Sequence, residues 1–181
     1  MLQLSLILCC HNGIERLKST IEHLANQILP NDFRWEFVFV DNASTDGSAQ
    51  YIVNLWKEYN AKGDLRIVEE KKIGLIFARN AGVKNARGEI IIFCDDDNWL
   101  DANYLYKAYT FMVSHPNIGV LGGEGIVVTD YGVLLPEWWC IDNNCNNYAV
   151  GKQLISSGIA NERGYIWGAG LTSRKKILDK I

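Results

Sequence analysis

Four short apolar runs constrain most strongly what this chain can fold into. They are Leu4 to Cys9, Trp35 to Val40, Leu65 to Val68 and Glu89 to Cys94. A strand that is apolar along nearly its whole length, not only at alternate positions, suits burial on both faces, as in a parallel sheet. Between the runs the apolar period changes to that of a helix. Ile14, Leu17, Ile21, Leu24 and Ile28 share one stripe, with Glu15, Arg16, Lys18 and Glu22 on the other face and Pro30 ending the pattern. Ile52, Val53, Trp56 and Tyr59 mark a second helix, which Ser44 and Thr45 are placed to cap. A third spans roughly Leu75 to Ala86 and stops at Gly88, and a fourth covers Asn103 to Val113. Alternation of this kind predicts an α/β fold: a Rossmann-like three-layer sandwich with a mostly parallel central sheet.

Bulk properties narrow the function. A length of 181 residues fits one domain with a proper core, and a net charge of -3 offers no basic footprint for nucleic acid. No run approaches the ~18 apolar residues of a membrane span. Met1 to Cys9 lacks a positively charged start and reads as a buried first strand instead of a leader. The five cysteines are Cys9, Cys10, Cys94, Cys140 and Cys145, and no spacing repeats as a pair of close thiols. A reduced, cytoplasmic compartment follows from that usage.

The character changes near residue 118. Residues 1–117 read as a ligand-binding half and 118–181 as the start of a second half within the same domain. Gly122-Gly123 suggests a close approach of a ligand or of backbone. Trp138, Trp139 and Trp167 suit either stacking against a sugar ring or packing under a long loop. The chain is expected to stop partway through a helix starting near Thr172.

In an open α/β sheet, ligands bind beyond the carboxyl ends of the strands, where strand order reverses. Three polar clusters fall at such ends: Cys10-His11-Asn12, Asp41-Asn42-Ala43-Ser44 and Asp95-Asp96-Asp97-Asn98. The helix after each is expected to aim its positive amino end at one shared crevice, which favours phosphate. Three adjacent carboxylates repel each other in low dielectric. Mg or Mn would relieve that repulsion, using one or two carboxylates plus phosphate oxygens. The triplet alone is equally compatible with an acidic turn capping a helix after Trp99. Asp41 is placed to accept hydrogen bonds from a base or ribose, while Ser44 and Asp46 build the turn and cap. His11 suits base stacking better than acid–base work.

Taken in order, these pieces resemble a known family. The segments are Leu4-Ser5-Leu6-Ile7-Leu8-Cys9-Cys10-His11-Asn12, Val40-Asp41-Asn42-Ala43-Ser44-Thr45-Asp46-Gly47, Gly74-Leu75 to Ala78-Arg79-Asn80-Ala81-Gly82, and Ala86-Arg87-Gly88-Glu89 to Cys94-Asp95-Asp96-Asp97-Asn98-Trp99-Leu100. They are similar to family 2 glycosyltransferases of the GT-A fold over roughly Leu2 to Leu105. A weaker likeness resumes at Trp167-Gly168-Ala169-Gly170-Leu171 and runs to Arg174-Lys175. The resemblance implies a GT-A-type sandwich and a nucleotide-sugar donor, a UDP-sugar by preference. It also implies a divalent cation (Mn or Mg), a saccharide or lipid-linked acceptor, and work in polysaccharide or glycoconjugate synthesis. Carried over by position, Cys10, His11 and Asn12 surround the base and Asp41 contacts base or ribose. Arg79 and Asn80 close over the nucleotide and diphosphate, Asp95 or Asp96 contacts ribose, and Asp97 is the direct metal ligand. Three positions depart from the pattern: Cys9 replaces a common proline, His11 a stacking aromatic, and Asn42 a second acid.

The implied chemistry is an inverting transfer in which an acceptor hydroxyl attacks the anomeric carbon as nucleoside diphosphate leaves. It needs a general base. In the family this is usually an acid in a Glu-Asp pair after the helix that begins here near Arg174, which places it beyond Ile181. Glu124, Asp130, Glu137 and Asp142 are substitutes without a motif behind them. Any association with the inner face of a membrane would come from residues outside this chain. A sugar nucleotidyltransferase would open with a Gly-rich loop bearing Lys or Arg after its first strand, unlike Cys10-His11-Asn12-Gly13. A non-catalytic carbohydrate- or nucleotide-binding module would account for the tryptophans but not for the acidic strand ends.

Overall fold

A computed structural model describes residues 2–123 and 168–180. Strand β1 (Leu4–Cys10) leads to α1 (Ile14–Ala25), β2 (Trp35–Asp41) to α2 (Ser48–Glu58), β3 (Asp64–Glu69) to α3 (Leu75–Asn85), and β4 (Ile90–Cys94) to α4 (Tyr104–Ser114). Short β5 (Val120–Leu121), β6 (Thr172–Arg174) and α5 (Lys175–Leu178) complete the described elements. One sheet runs β3-β2-β1-β4-β6-β5. The pairs β1·β2, β1·β4 and β2·β3 are parallel, whereas β6 runs antiparallel to both β4 and β5. The expected mostly parallel α/β sheet is what forms.

Both faces of the sheet are covered, which is why its strands are apolar at consecutive positions. Leu6, Leu8, Phe37, Phe39 and Ile92 pack under Leu17, Ile21 and Leu24 of α1, Ile52 and Trp56 of α2, and Leu105 and Ala108 of α4. On the opposite face Ile7, Val38, Val40, Ile91 and Phe93 meet Ala78 and Val83 of α3 and Ala86 just after it. Gly82 lets α3 sit close, since a Cβ there would lie 2.5 Å from Ile7 Cγ2. Ile28 falls beyond the end of α1 and is 62% exposed, so the apolar stripe outruns the helix that it suggests.

At the amino ends of the strands a buried carboxylate ties three segments together. Glu36 is fully buried, and its Oε1 accepts from Ser5 Oγ at 2.6 Å and from the Arg87 amide at 2.6 Å. Its Oε2 takes the Arg87 guanidinium at 2.8 Å. Ser5 Oγ in turn accepts the Gly88 amide at 2.8 Å. Gly88 passes so close to β1 that a Cβ would lie 2.5 Å from backbone atoms of Leu4 and Ser5. That approach is what requires glycine there; α3 ends earlier than the expected stop at Gly88, at Asn85 with Ala86 as its extended cap.

Two further boundaries differ from expectation. The helix expected near Thr172 is preceded by β6, whose Thr172–Arg174 pair with Ile92–Ile90, and α5 starts only at Lys175. Ser44 and Thr45 do not cap α2: its amino end is Gly47, left-handed at φ 85°, and the capping carboxylate comes from Asp46. Trp138, Trp139, Trp167, Cys140, Cys145 and the acids Glu124, Asp130, Glu137 and Asp142 lie outside the described residues.

Candidate active site

Strand order reverses between β1 and β4, so the switch point opens at the carboxyl ends of these two strands. The register sets Cys10 opposite Asp41, and Asp41 opposite Glu69, at one level of the rim. Cys10-His11-Asn12, Asp41-Asn42 and Asp95-Asp96-Asp97 therefore meet along that rim. Sequence order alone does not show this.

The nucleoside side is built mostly by backbone held in place. Asn42 is the hub, at 4% exposure. Its amide nitrogen donates to the Glu70 and Lys72 carbonyls at 3.0 and 2.8 Å, and its Oδ1 accepts the Gly74 amide at 2.8 Å. An acid here could accept from Gly74 but could not donate to two carbonyls, a physical reason for the departure from a second acid. His11 donates from Nδ1 to the Asn42 carbonyl at 2.7 Å, which leaves Nε2 as the acceptor, 3.4 Å from Asn12 Nδ2. The His11 ring is exposed at the rim rather than enclosed. Asn12, at φ 50°, uses Oδ1 to accept the Thr45 amide at 2.8 Å. Asp41 Oδ1 accepts the Ser44 amide at 2.9 Å, leaving Oδ2 without a recorded hydrogen bond among the described residues.

Cys10 corrects its sequence assignment. Strand alternation turns its side chain into the core at 2% exposure, with Sγ 3.9 Å from Ser48 Oγ. Any ligand contact from this position falls to backbone. Burial pushes the Cys9 and Cys10 thiols up to about 12 and raises Cys94 as well, so all three stay protonated at neutral pH.

The helix ends also correct an expectation. Asp46 Oδ2 accepts the Ile14 amide at 3.0 Å, while Oδ1 accepts the Ser48 amide at 3.0 Å and Ser48 Oγ at 2.6 Å. One carboxylate thus caps α1 and α2 together, at positions where phosphate was expected to use the helix dipoles. The helix after the third cluster, α4, begins only at Tyr104, so the aspartate triplet caps nothing directly.

The triplet is charge-balanced in an uneven way. Arg79 on α3 reaches Asp95 Oδ1 at 3.2 Å and lies 5.3 Å over the Phe93 ring. Arg16 on α1 grips Asp96 with two nitrogens, at 2.6 and 3.3 Å. Asp97 is exposed and forms no salt bridge among the described residues; Asn98 Nδ2 donates to it at 3.2 Å. The repulsion assigned to a cation is therefore already relieved at two of the three carboxylates. Burial holds the Asp95 carboxyl above the usual range; Arg79 opposes that, and Asp97 and Asp96 add to it. Among the described residues no group of three or more His, Cys, Asp or Glu side chains is positioned to share a metal. The donor set suits Mg or Mn only as one carboxylate completed by phosphate oxygens and water.

Sequence reasoning missed the stripe that holds the acidic loop. Beyond Arg16, Thr20 Oγ1 donates to the Asp96 carbonyl at 3.0 Å and His23 Nδ1 lies 3.3 Å from the Leu100 carbonyl. The His23 ring also stacks on Trp99, and Gln27 donates to the Asp101 carbonyl at 2.8 Å. The spacing 16, 20, 23, 27 is a legible helical stripe, but only the fold shows what it faces. Gly13 belongs to the same packing, because a Cβ there would meet Asp96 Oδ2 and Cys10 Sγ. Asn80 is exposed on α3 one position past Arg79. Gly123 makes a close approach, but to a side chain: a Cβ would lie 2.8 Å from the Tyr104 ring.

A family model described as glycosyl transferase family 2 matches residues 5–169. The chain belongs to this family. Dodecaprenyl-phosphate galacturonate synthase of Rhizobium johnstonii is 35% identical over 162 residues, 83% of this chain and 43% of that protein. The structure of Staphylococcus aureus TarS 1-349 superposes with a TM-score of 0.74 at 23% identity, covering 99% of this chain and 49% of that one. TarS is also solved with UDP and with UDP-GlcNAc. Mannosyltransferase PcManGT from Pyrobaculum calidifontis, in complex with GDP-Man and Mn2+, matches with a TM-score of 0.70 at 21% identity, over 98% of this chain and 46% of that one. At such identities these likenesses show the GT-A fold. The chain spans less than half the length of each of these relatives. No helix among the described residues is long and apolar enough to cross a membrane.

Proposed function

We propose that this family 2 chain binds a nucleotide-diphosphate-sugar donor across the β1/β4 switch point, for inverting transfer to a saccharide or lipid-linked hydroxyl. The observation that carries this is the convergence of His11, Asp41, Arg79 and the Asp95–Asp97 loop on one rim, with Asp97 exposed and outside the arginine pairs. The Asp41 carboxylate and the His11 ring serve the nucleoside. Arg79 and Arg16, held beside Asp95 and Asp96, would meet the diphosphate, since a guanidinium fork matches phosphate oxygens. Asp97 would hold Mn or Mg, which supplies positive charge against the leaving diphosphate. Asn42 and Asp46 keep the rim in shape without touching the donor. The UDP and GDP-Man complexes of fold relatives support a nucleotide-sugar donor, and a UDP-sugar is the first to try.

Calorimetric titration with UDP-, GDP- and dTDP-sugars, with and without Mn, tests this reading. Metal-enhanced binding of one donor is expected. Binding by none, or binding indifferent to metal, would sink the assignment. Asp97→Ala should remove the metal enhancement and leave the thermal unfolding transition in place.

A further inference from the structure

We infer that Arg16 is an internal counter-ion that keeps the cation off the acidic loop until a nucleoside diphosphate arrives, so that the two bind as a pair. The inference rests on the donor-site reading above and goes beyond it.

The argument begins with the charge count. Asp95 and Asp96 each already have a guanidinium, and Asp97 is left to act as a single carboxylate. No three-ligand cluster exists among the described residues. A lone divalent ion therefore meets one available carboxylate and two nearby positive charges, and one carboxylate holds Mg or Mn poorly without phosphate oxygens. A diphosphate changes the exchange. Its oxygens would supply the ligands that Asp97 alone cannot, and would accept the Arg16 fork. Asp96 is thereby released toward the ion.

The geometry supports a movable Arg16 and a fixed loop. The Arg16 side chain is half exposed and sits on the first turn of α1, so its tip can turn without disturbing the core. The loop does not depend on it alone. Thr20 on the Asp96 carbonyl, Gln27 on the Asp101 carbonyl and the His23–Trp99 stack hold the loop independently. The Arg16–Asp96 contact can thus be given up while the loop keeps its place. Arg79 is less free, since it is partly buried and lies across Phe93.

Mn2+ titration followed by the paramagnetic resonance of the free ion, with UDP absent and present, tests the idea without any turnover. In the native chain Mn2+ alone should bind weakly, and UDP should tighten it more than about tenfold, within the usual span of coupling between sites. Arg16→Gln removes a positive charge beside Asp96 and Asp97. It should tighten Mn2+ alone by about 3- to 10-fold while shrinking the UDP effect, as expected for unit charges in a partly solvated site. Lys18→Gln makes the same change in net charge on the exposed side of α1 and should change neither. Arg16→Lys, which keeps the charge but loses the fork, should fall between. If Mn2+ and UDP bind but Arg16→Gln matches the native chain or Lys18→Gln, the counter-ion role is wrong and the donor site stands. If UDP, GDP and dTDP all fail to bind with Mn2+, both readings fall.

Discussion

Glu36→Gln separates what stabilises the sheet from what binds a ligand. Glutamine keeps the Oε1 acceptor for Ser5 and the Arg87 amide, but it turns an N–H2 group toward the Arg87 guanidinium. The loss is that of two charge-assisted bonds, each contributing about 1.5–3 kcal/mol. Arg87 is half exposed and can turn to water, which reduces the sum to about 2–4 kcal/mol. For a chain of this size that lowers Tm by roughly 4–16 °C. The pH dependence gives a second, sharper readout. Burial tends to raise the Glu36 carboxyl, but the bonds from Ser5 and Arg87 outweigh it and hold it below its ordinary 4.5. A depressed folded pKa means stability that is present above the unfolded value and lost as pH falls through the folded one. The gap between native and Glu36→Gln proteins should therefore be wide at neutral pH and close in acid. Thermal or urea unfolding across pH 3–7 measures it. A neutral-pH gap under about 1 kcal/mol, the range of an ordinary surface pair, refutes the reasoning, as does a gap unchanged in acid. Nucleotide affinity should not move, because Glu36 lies at the opposite end of the strands from the candidate site.

Gly13→Ala pushes a methyl into Asp96 and Cys10; it should cost about 1–3 kcal/mol by overpacking and weaken Mn-dependent nucleotide binding in calorimetry. Asp95 has a raised carboxyl, so its linkage has the opposite sign to that of Glu36. Lowering the pH through its folded value should add stability while metal-assisted nucleotide binding declines, and calorimetry over a pH series checks both. Cys9, Cys10 and Cys94, held protonated by burial, should resist alkylation at pH 8 in the native state and react only on unfolding, as mass spectrometry would show.

Much of the fold was legible because burial on both faces leaves a mark that needs no tertiary information. Val38 and Phe39 face opposite layers and both must be apolar, so Trp35 to Val40 announces its strand, as Leu4 to Cys9 and Glu89 to Cys94 do. Element edges were less legible. Ser44 and Thr45 have the chemistry of caps, yet they bind the Asn12 loop while Asp46 caps. Thr172–Arg174 is a strand only because β4 offers it an edge.

The aspartate triplet and Asp41 were candidates from their place at the ends of apolar runs and from the family pattern, and Arg79 from that pattern alone. What the sequence determined by itself was this list of polar groups at strand ends, since strand ends and helix stripes are set by local periodicity. The tertiary structure decided which of them are already engaged. It turned Cys10 into the core, made Asn42 a clamp for the 70–74 loop, and gave Asp46 to two helices at once. It also paired Asp95 with Arg79 and Asp96 with Arg16 across 16 and 80 residues of chain. An ion pair depends on two side chains meeting in space, and nothing in the local pattern around Arg16 names its partner. The family pattern singled out Asp97 by position alone; the fold adds that Asp97 is exposed and stands outside the arginine pairs.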